Sequence, residues 1–231
     1  INSTARTICE DDLGNLWVGT YNGLFILNSI TQNLFHVRHN KDNPKSLSQN
    51  SIYDIIKDSK GDMWIGTWAG GVNYFDRSYA VFDNIISGDG ENMLNYNIVS
   101  DIVEDEYGNL WIGTEGGGLN IYNKKKEKFT YYTYNSSDKY SLSSNNVKSI
   151  IKDSNNNFWI GTHDNGLNFL QTNKNPLKFE RINPLNQDLV PLSDYEILSL
   201  YEDSIGNIWI GTLTAGLLHY NPLSKTLQNI G

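Results

Sequence analysis

The chain has 231 residues, enough for one or two domains. Its 39% hydrophobic and 19% charged residues describe a foldable chain rather than a disordered one, and its net charge of −8 argues against nucleic acid as a partner. No apolar run approaches the roughly 20 residues that cross a bilayer, and the lone Cys9 excludes an internal disulfide framework or a cysteine zinc site.

Five related units follow one another along the chain. The first, 4–48, carries Ile8, Asp11, Gly14, Asn15 and the tetrapeptide Trp17-Val18-Gly19-Thr20, then Gly23 and Leu24. The second, 49–95, opens on a strand at 52–56 and continues with Asp58, Gly61, Asp62, Trp64-Ile65-Gly66-Thr67, Gly71 and Val72. The third, 96–143, has Ile102, Asp105, Gly108, Asn109, Trp111-Ile112-Gly113-Thr114 and Gly118, with strands predicted at 119–122 and 128–132. The fourth, 144–193, has a strand at 147–151, Asp153, Asn156, Asn157, Trp159-Ile160-Gly161-Thr162, Gly166 and Leu167. The fifth, 194–231, repeats the pattern with Leu200, Asp203, Gly206, Asn207, Trp209-Ile210-Gly211-Thr212, Gly216 and Leu217. Successive tryptophans are 47, 47, 48 and 50 residues apart, so five copies account for the whole chain.

Each unit reads as four short strands. The aspartate and the Gly or Asn three residues later suit a tight reversal between the first two strands, with the aspartate as turn stabiliser. Adjacent apolar pairs such as Ile55-Ile56 and Ile102-Val103 mean strands buried on both faces, which a sandwich with one wet face does not give. The predicted fold is all-β: a β-propeller of five four-stranded blades of about 47 residues in a single domain over 1–231. Each repeated tryptophan is expected to wedge against the next blade, removing about 150–250 Å² from water. The strand-two glycine is expected where a neighbouring backbone comes close.

The units closely resemble the two-component regulator propeller repeat. The third copy fits that pattern nearly throughout, at Val99, Ile102, Asp105, Gly108, Leu110, Trp111, Ile112, Gly113, Thr114, Gly117, Gly118, Leu119 and Tyr122. The resemblance implies the periplasmic or extracellular sensor of a membrane-anchored bacterial receptor, often a hybrid two-component histidine kinase that detects oligosaccharides and pairs as a homodimer. Members usually have seven blades, so these five are expected to form either a five-bladed ring or part of a larger propeller. No kinase or other output motif is present, and the segment itself is not expected to touch the membrane.

Antiparallel connectivity puts the strand two–three loops and the connections between units at one end. Just after each Thr the copies differ, giving Tyr21, Asn22, Trp68, Glu115, His163 and Asp164 as candidate ligand-binding residues around one mouth. Aromatic faces, carboxylates and amides match what a sugar presents. The long connections 36–50, 77–95 and 181–194 lie at the same end.

The alternatives are a passive protein-docking or dimerisation propeller and a glycan lyase or hydrolase. Neither a cofactor nor a metal is expected. His36 and His39 are three apart on one predicted strand and so face opposite ways. His163-Asp164 is read as loop polarity rather than an acid–base pair. The run 124–128, Lys-Lys-Lys-Glu-Lys, is read as a solvated hairpin tip.

Overall fold

The computed structural model describes residues 3–90, 92–172, 176–184 and 191–230. They form five sheets of four strands. The first contains β1 (Ala5–Glu10), β2 (Leu16–Thr20), β3 (Gly23–Leu27) and β4 (Leu34–Val37). The second contains β5 (Ile52–Lys57), β6 (Met63–Thr67), β7 (Val72–Asp76) and β8 (Val81–Ile85), and the third β9 (Val99–Glu104), β10 (Leu110–Thr114), β11 (Gly118–Asn123) and β12 (Lys128–Tyr132). The fourth contains β13 (Val147–Lys152), β14 (Phe158–Thr162), β15 (Leu167–Leu170) and β16 (Phe179–Arg181), and the fifth β17 (Ile197–Glu202), β18 (Ile208–Thr212), β19 (Leu217–Asn221) and β20 (Thr226–Asn229). Strands lie side by side in chain order and run antiparallel. Two compact units carry these sheets, residues 1–112 with 121–129 and residues 113–120 with 130–231, so the third sheet contributes to both.

The turn between the first two strands of each blade explains the repeated aspartate. Asp11 Oδ1 accepts the backbone N–H groups of Leu13 and Asn15, both at 2.9 Å. Its Oδ2 accepts the Asn15 amide at 2.9 Å and the Trp17 indole N–H at 3.0 Å. The residue three past the aspartate is left-handed in all five copies, with φ of 76° at Gly14 and 60° at Asn156, which is why only Gly and Asn occur there.

Each unit has its own core. In the first, Trp17 packs with Ile52, Ile55, Met63 and Ile65 of the following blade, and Trp64 packs with Val99, Ile102, Leu110 and Ile112. In the second, Trp159 packs with Ile197, Leu200, Ile208 and Ile210. Trp17, Trp64 and Trp159 therefore wedge against the next blade as expected.

The strand-two glycine has a different reason from the one predicted. A Cβ on Gly19 would lie 2.5 Å from Ile52 Cγ2, and one on Gly66 would lie 2.7 Å from Val99 Cγ1. What comes close is a β-branched side chain at the start of the next blade's first strand, not a backbone. The backbone approach belongs to the glycine at the start of strand three: a Cβ on Gly23 would lie 2.5 Å from the Val37 carbonyl oxygen.

Candidate functional site

The loop between strands two and three is clamped identically in every blade. The Thr that ends strand two donates its hydroxyl to the carbonyl of the glycine that leads into strand three: Thr20 to Gly23 at 2.8 Å, and Thr67 to Gly71, Thr114 to Gly118, Thr162 to Gly166 and Thr212 to Gly216, each at 2.9 Å. These glycines have φ between 70° and 107°. Fixed ends with variable residues between them make this loop the adjustable part of a constant frame.

In the first unit the loops bring forward Tyr21, Asn22 and Trp68. Tyr21 is 58% exposed and Trp68 47%. The Trp68 backbone N–H donates to Ser51 O at 2.9 Å, and Trp68 forms a β-bridge with Ile98. Asn22 is tied to the local frame by its backbone, its N–H donating to Thr20 Oγ1 at 3.0 Å and its carbonyl lying 2.7 Å from His36 Nε2, while its side chain is exposed.

In the second unit the corresponding residues are Glu115, His163 and Asp164. Glu115 Oε1 pairs with Lys148 Nζ at 2.7 Å. His163 Nδ1 faces Glu196 Oε1 at 3.8 Å, while its backbone N–H donates to Asn146 O at 2.9 Å. Asp164 Oδ1 accepts the Ser144 hydroxyl at 2.8 Å. Asp164 thus turns to Ser144, while the His163 ring faces Glu196.

A second set of variable residues lies at this end, outside the loops. The pairing of strands one and two slips between Ala5 and Thr7, Ile52 and Asp54, Val147 and Ser149, and Ile197 and Ser199. The residue at each slip, Arg6, Tyr53, Lys148 or Leu198, is the extra one of a β-bulge, a device that re-aims a side chain. The Arg6 guanidinium carbon lies 3.4 Å from the Tyr53 ring centroid and 4.8 Å from that of Tyr21. One terminal nitrogen of Arg6, Nη1, is out of water and without a hydrogen-bond partner. The loops alone drew attention at the sequence level. The eleventh residue before each tryptophan varies just as freely and was the available pointer to Arg6, Tyr53 and Lys148.

The two component regulator propeller model matches residues 1–22, 46–69, 93–116, 141–164 and 191–214, just over half of the chain. The chain belongs to the two component regulator propeller family. No curated protein matches it in sequence. Among solved structures it is similar to the extracellular domain of a protein described as a hybrid two component system, BT3049 from B. thetaiotaomicron. The two share 24% identity at a TM-score of 0.80, over 100% of this chain and 30% of that one. It is also similar to PorZ, described as a surface component of the type-IX secretion system of Porphyromonas gingivalis, with 15% identity and a TM-score of 0.71 over 97% of this chain and 33% of PorZ. Virginiamycin B lyase from Staphylococcus aureus matches at 11% identity and a TM-score of 0.70, over 99% of this chain and 70% of the lyase. The shared fold is a β-propeller and the five sheets are its blades. This regulator propeller spans under a third of the BT3049 extracellular domain. Among the described residues no helix is long and apolar enough to cross a membrane.

At the turn end of the regulator propeller's first unit, one lysine departs from its expected place. Residues 125–128 are exposed, as the hairpin reading requires, but Lys124 folds inward. Its Nζ lies 2.6 Å from both Asp58 Oδ2 and Glu104 Oε1, and 5.8 Å from the centroid of the Trp64 ring. Burial pushes the Asp58 carboxyl up, but Lys124, the Trp64 indole N–H and the Asp62 backbone outweigh it and hold it below the usual range. The ammonium has somewhere to go because its aliphatic stem can cover apolar surface while its head reaches two carboxylates. Glu104 also accepts the Ser59 N–H at 2.6 Å, and Glu202 repeats this with Ser154 at 2.7 Å in the second unit.

The histidines also differ from expectation. β4 ends at Val37, so only His36 lies on the strand, stacked on Phe25 at 4.0 Å. His39 lies beyond it, with Nδ1 2.7 Å from Leu47 O.

Proposed function

We propose that this regulator propeller is the ligand-sensing part of an extracytoplasmic bacterial receptor. It binds an oligosaccharide at the loop-bearing end and leaves it chemically unchanged. The observation that carries the reading is the pair of exposed aromatics in the first unit, Tyr21 and Trp68, on loops whose ends are hydrogen-bonded to the blade frame. A rigid aromatic face is what the C–H side of a sugar ring packs against, and a preordered loop lowers the entropic cost of binding. Membership of the family and the fold shared with the BT3049 extracellular domain support the receptor setting. Ligand then acts by favouring one arrangement of the paired receptor over another, through its different affinity for the two. On the non-catalytic side, Asp164 is bonded to the Ser144 hydroxyl rather than turned to His163.

Calorimetric titration of the chain with a panel of neutral and acidic oligosaccharides tests this. Trp68→Ala is expected to weaken the best ligand about tenfold or more, the equivalent of about 1.4 kcal/mol. An unchanged affinity would count against the site.

A further inference from the structure

We infer that the loop-bearing end of the first unit takes a sugar bearing a carboxylate, and that Arg6 is the residue that recognises the anion; this rests on the proposal that the same end binds a glycan. Three observations converge on Arg6. First, its guanidinium is held over Tyr53 and Tyr21, and no carboxylate among the described residues pairs with it, in a chain of net charge −8. Lys148, at the same bulge position of the fourth blade, has its counter-charge in Glu115 at 2.7 Å. Arg6 is the cation of this position that is left open.

Second, Arg6 Nη1 is stripped of water and donates to nothing. More than nine in ten buried polar groups are hydrogen-bonded, and a charged donor left alone is costly. The other two guanidinium nitrogens, Nε and Nη2, are not closed off in this way, and a ligand oxygen meets the cation there. Carboxylate suits the fork of a guanidinium better than hydroxyl does, because two parallel N–H···O bonds form at once and each is charge-assisted.

Third, the residues around this cation are those of a sugar platform. Tyr21, which lies against the guanidinium, is 58% exposed, and Trp68 stands at the same end of the next blade. Stacking on tyrosine faces fixes the guanidinium plane in advance, so little rotamer freedom remains to be lost on binding. Lysine at this position would supply the charge without the fork or the flat stacking surface.

The experiment compares matched ligands on the whole chain. Oligogalacturonates, their carboxyl-reduced neutral counterparts and a sulfated oligosaccharide of equal length are titrated against wild type, Arg6→Gln and Arg6→Lys, with a thermal melt of each variant. Wild type is expected to prefer the uronate over its reduced form by about tenfold or more, as for one charge-assisted pair. Added salt is expected to shrink that preference. Arg6→Gln is expected to erase it, the ratio of the two affinities falling to about one, and Arg6→Lys is expected to keep a fraction of it. Should Arg6→Gln fail to fold, the folded Arg6→Lys variant decides by the same ratio. Equal affinity for uronate and reduced chain in wild type, or a preference that survives Arg6→Gln, overturns the role of Arg6 while leaving a neutral-glycan sensor standing. Tighter binding of the sulfated chain overturns the carboxylate assignment. Failure of every oligosaccharide to bind overturns the glycan reading itself, and this inference with it.

Discussion

The carboxylate of Asp58 accepts the indole N–H of Trp64 at 2.9 Å, across six residues of its own hairpin. The same bond recurs from Trp17 to Asp11, Trp111 to Asp105, Trp159 to Asp153 and Trp209 to Asp203, each at 3.0 Å. The aspartate that closes the turn is therefore also the residue that aims the wedge. A buried indole needs an acceptor, and the turn supplies one at fixed distance without help from the neighbouring blade. This couples the local and the long-range parts of the fold: a hairpin that forms correctly already points its tryptophan at the next blade.

Asp58 carries the heaviest load of the five, because its Oδ2 also holds Lys124 at 2.6 Å and both side chains are largely out of water. Asp58→Ala leaves that ammonium beside Glu104 alone, and the Trp64 N–H without an acceptor. The expected loss is about 3–5 kcal/mol in urea unfolding, the range for breaking one side of a buried pair. Adding Lys124→Met should cost more, since Glu104 then loses its cation. A loss under about 1 kcal/mol, or no further cost in the double variant, would show that the pair is not where the stability lies.

Gly66→Ala tests the contact between blades in the first unit. Its Cβ would come 2.7 Å from Val99 Cγ1, a side chain buried in the core of the next blade. Overpacking of this kind costs about 1–3 kcal/mol. Val99→Ala opens the space, so the two changes together should cost less than the sum of each alone. Strict additivity in that cycle would place the strain elsewhere.

The repeat made the fold legible because each blade uses the same residues for the same local reasons. The tryptophan spacing gave the number of blades, and adjacent apolar pairs such as Ile55-Ile56 marked strands covered on both sides. Less legible was any feature set by two distant side chains. The inward fold of Lys124 depends on Glu104 and Asp58, 20 and 66 residues away, and its own neighbours in sequence point outward. At the candidate site, the loop residues Tyr21 and Trp68 were visible as departures from a constant frame. Arg6 and Tyr53 were hidden because a bulge shifts strand register by one residue, which simple alternation does not reveal.

Acid should weaken the hairpins through their aspartates. Burial opposes ionisation of Asp203, yet the N–H groups of Asn207, Trp209 and Ile205 outweigh it and lower the carboxyl from 3.8 to about 2. Asp11 is lowered in the same way, by Asn15, Trp17 and Leu13 against the effect of burial. A carboxyl depressed by folding contributes stability above its unfolded value, and that contribution is lost as pH falls through the folded one. The melting temperature is therefore expected to hold down to about pH 4 and to drop between about pH 4 and 2. Asp54 acts in the opposite sense, because its burial raises the carboxyl and favours the protonated form. A melting temperature that stays level from pH 4 to pH 2 would mean the hairpin carboxylates are not linked to folding.

Trp159 and Trp209 give a comparison in which the hydrogen bond is constant and only burial changes. Each donates to its own aspartate at 3.0 Å. Trp159 is 4% exposed, packed at 6.0 Å from the Tyr220 ring and among Ile197 and Leu200 of the next blade. Trp209 is only half-buried, with His219 of its own blade at 4.6 Å as its ring partner. Trp159→Ala should cost about 3–5 kcal/mol, the range for deleting a large aromatic from a core. Trp209→Ala leaves no comparable cavity and should cost clearly less. Because the acceptor bond is lost in both, the difference measures the wedge alone. Similar losses in the two variants would mean that the tryptophans stabilise their own hairpins and that contact with the following blade adds little.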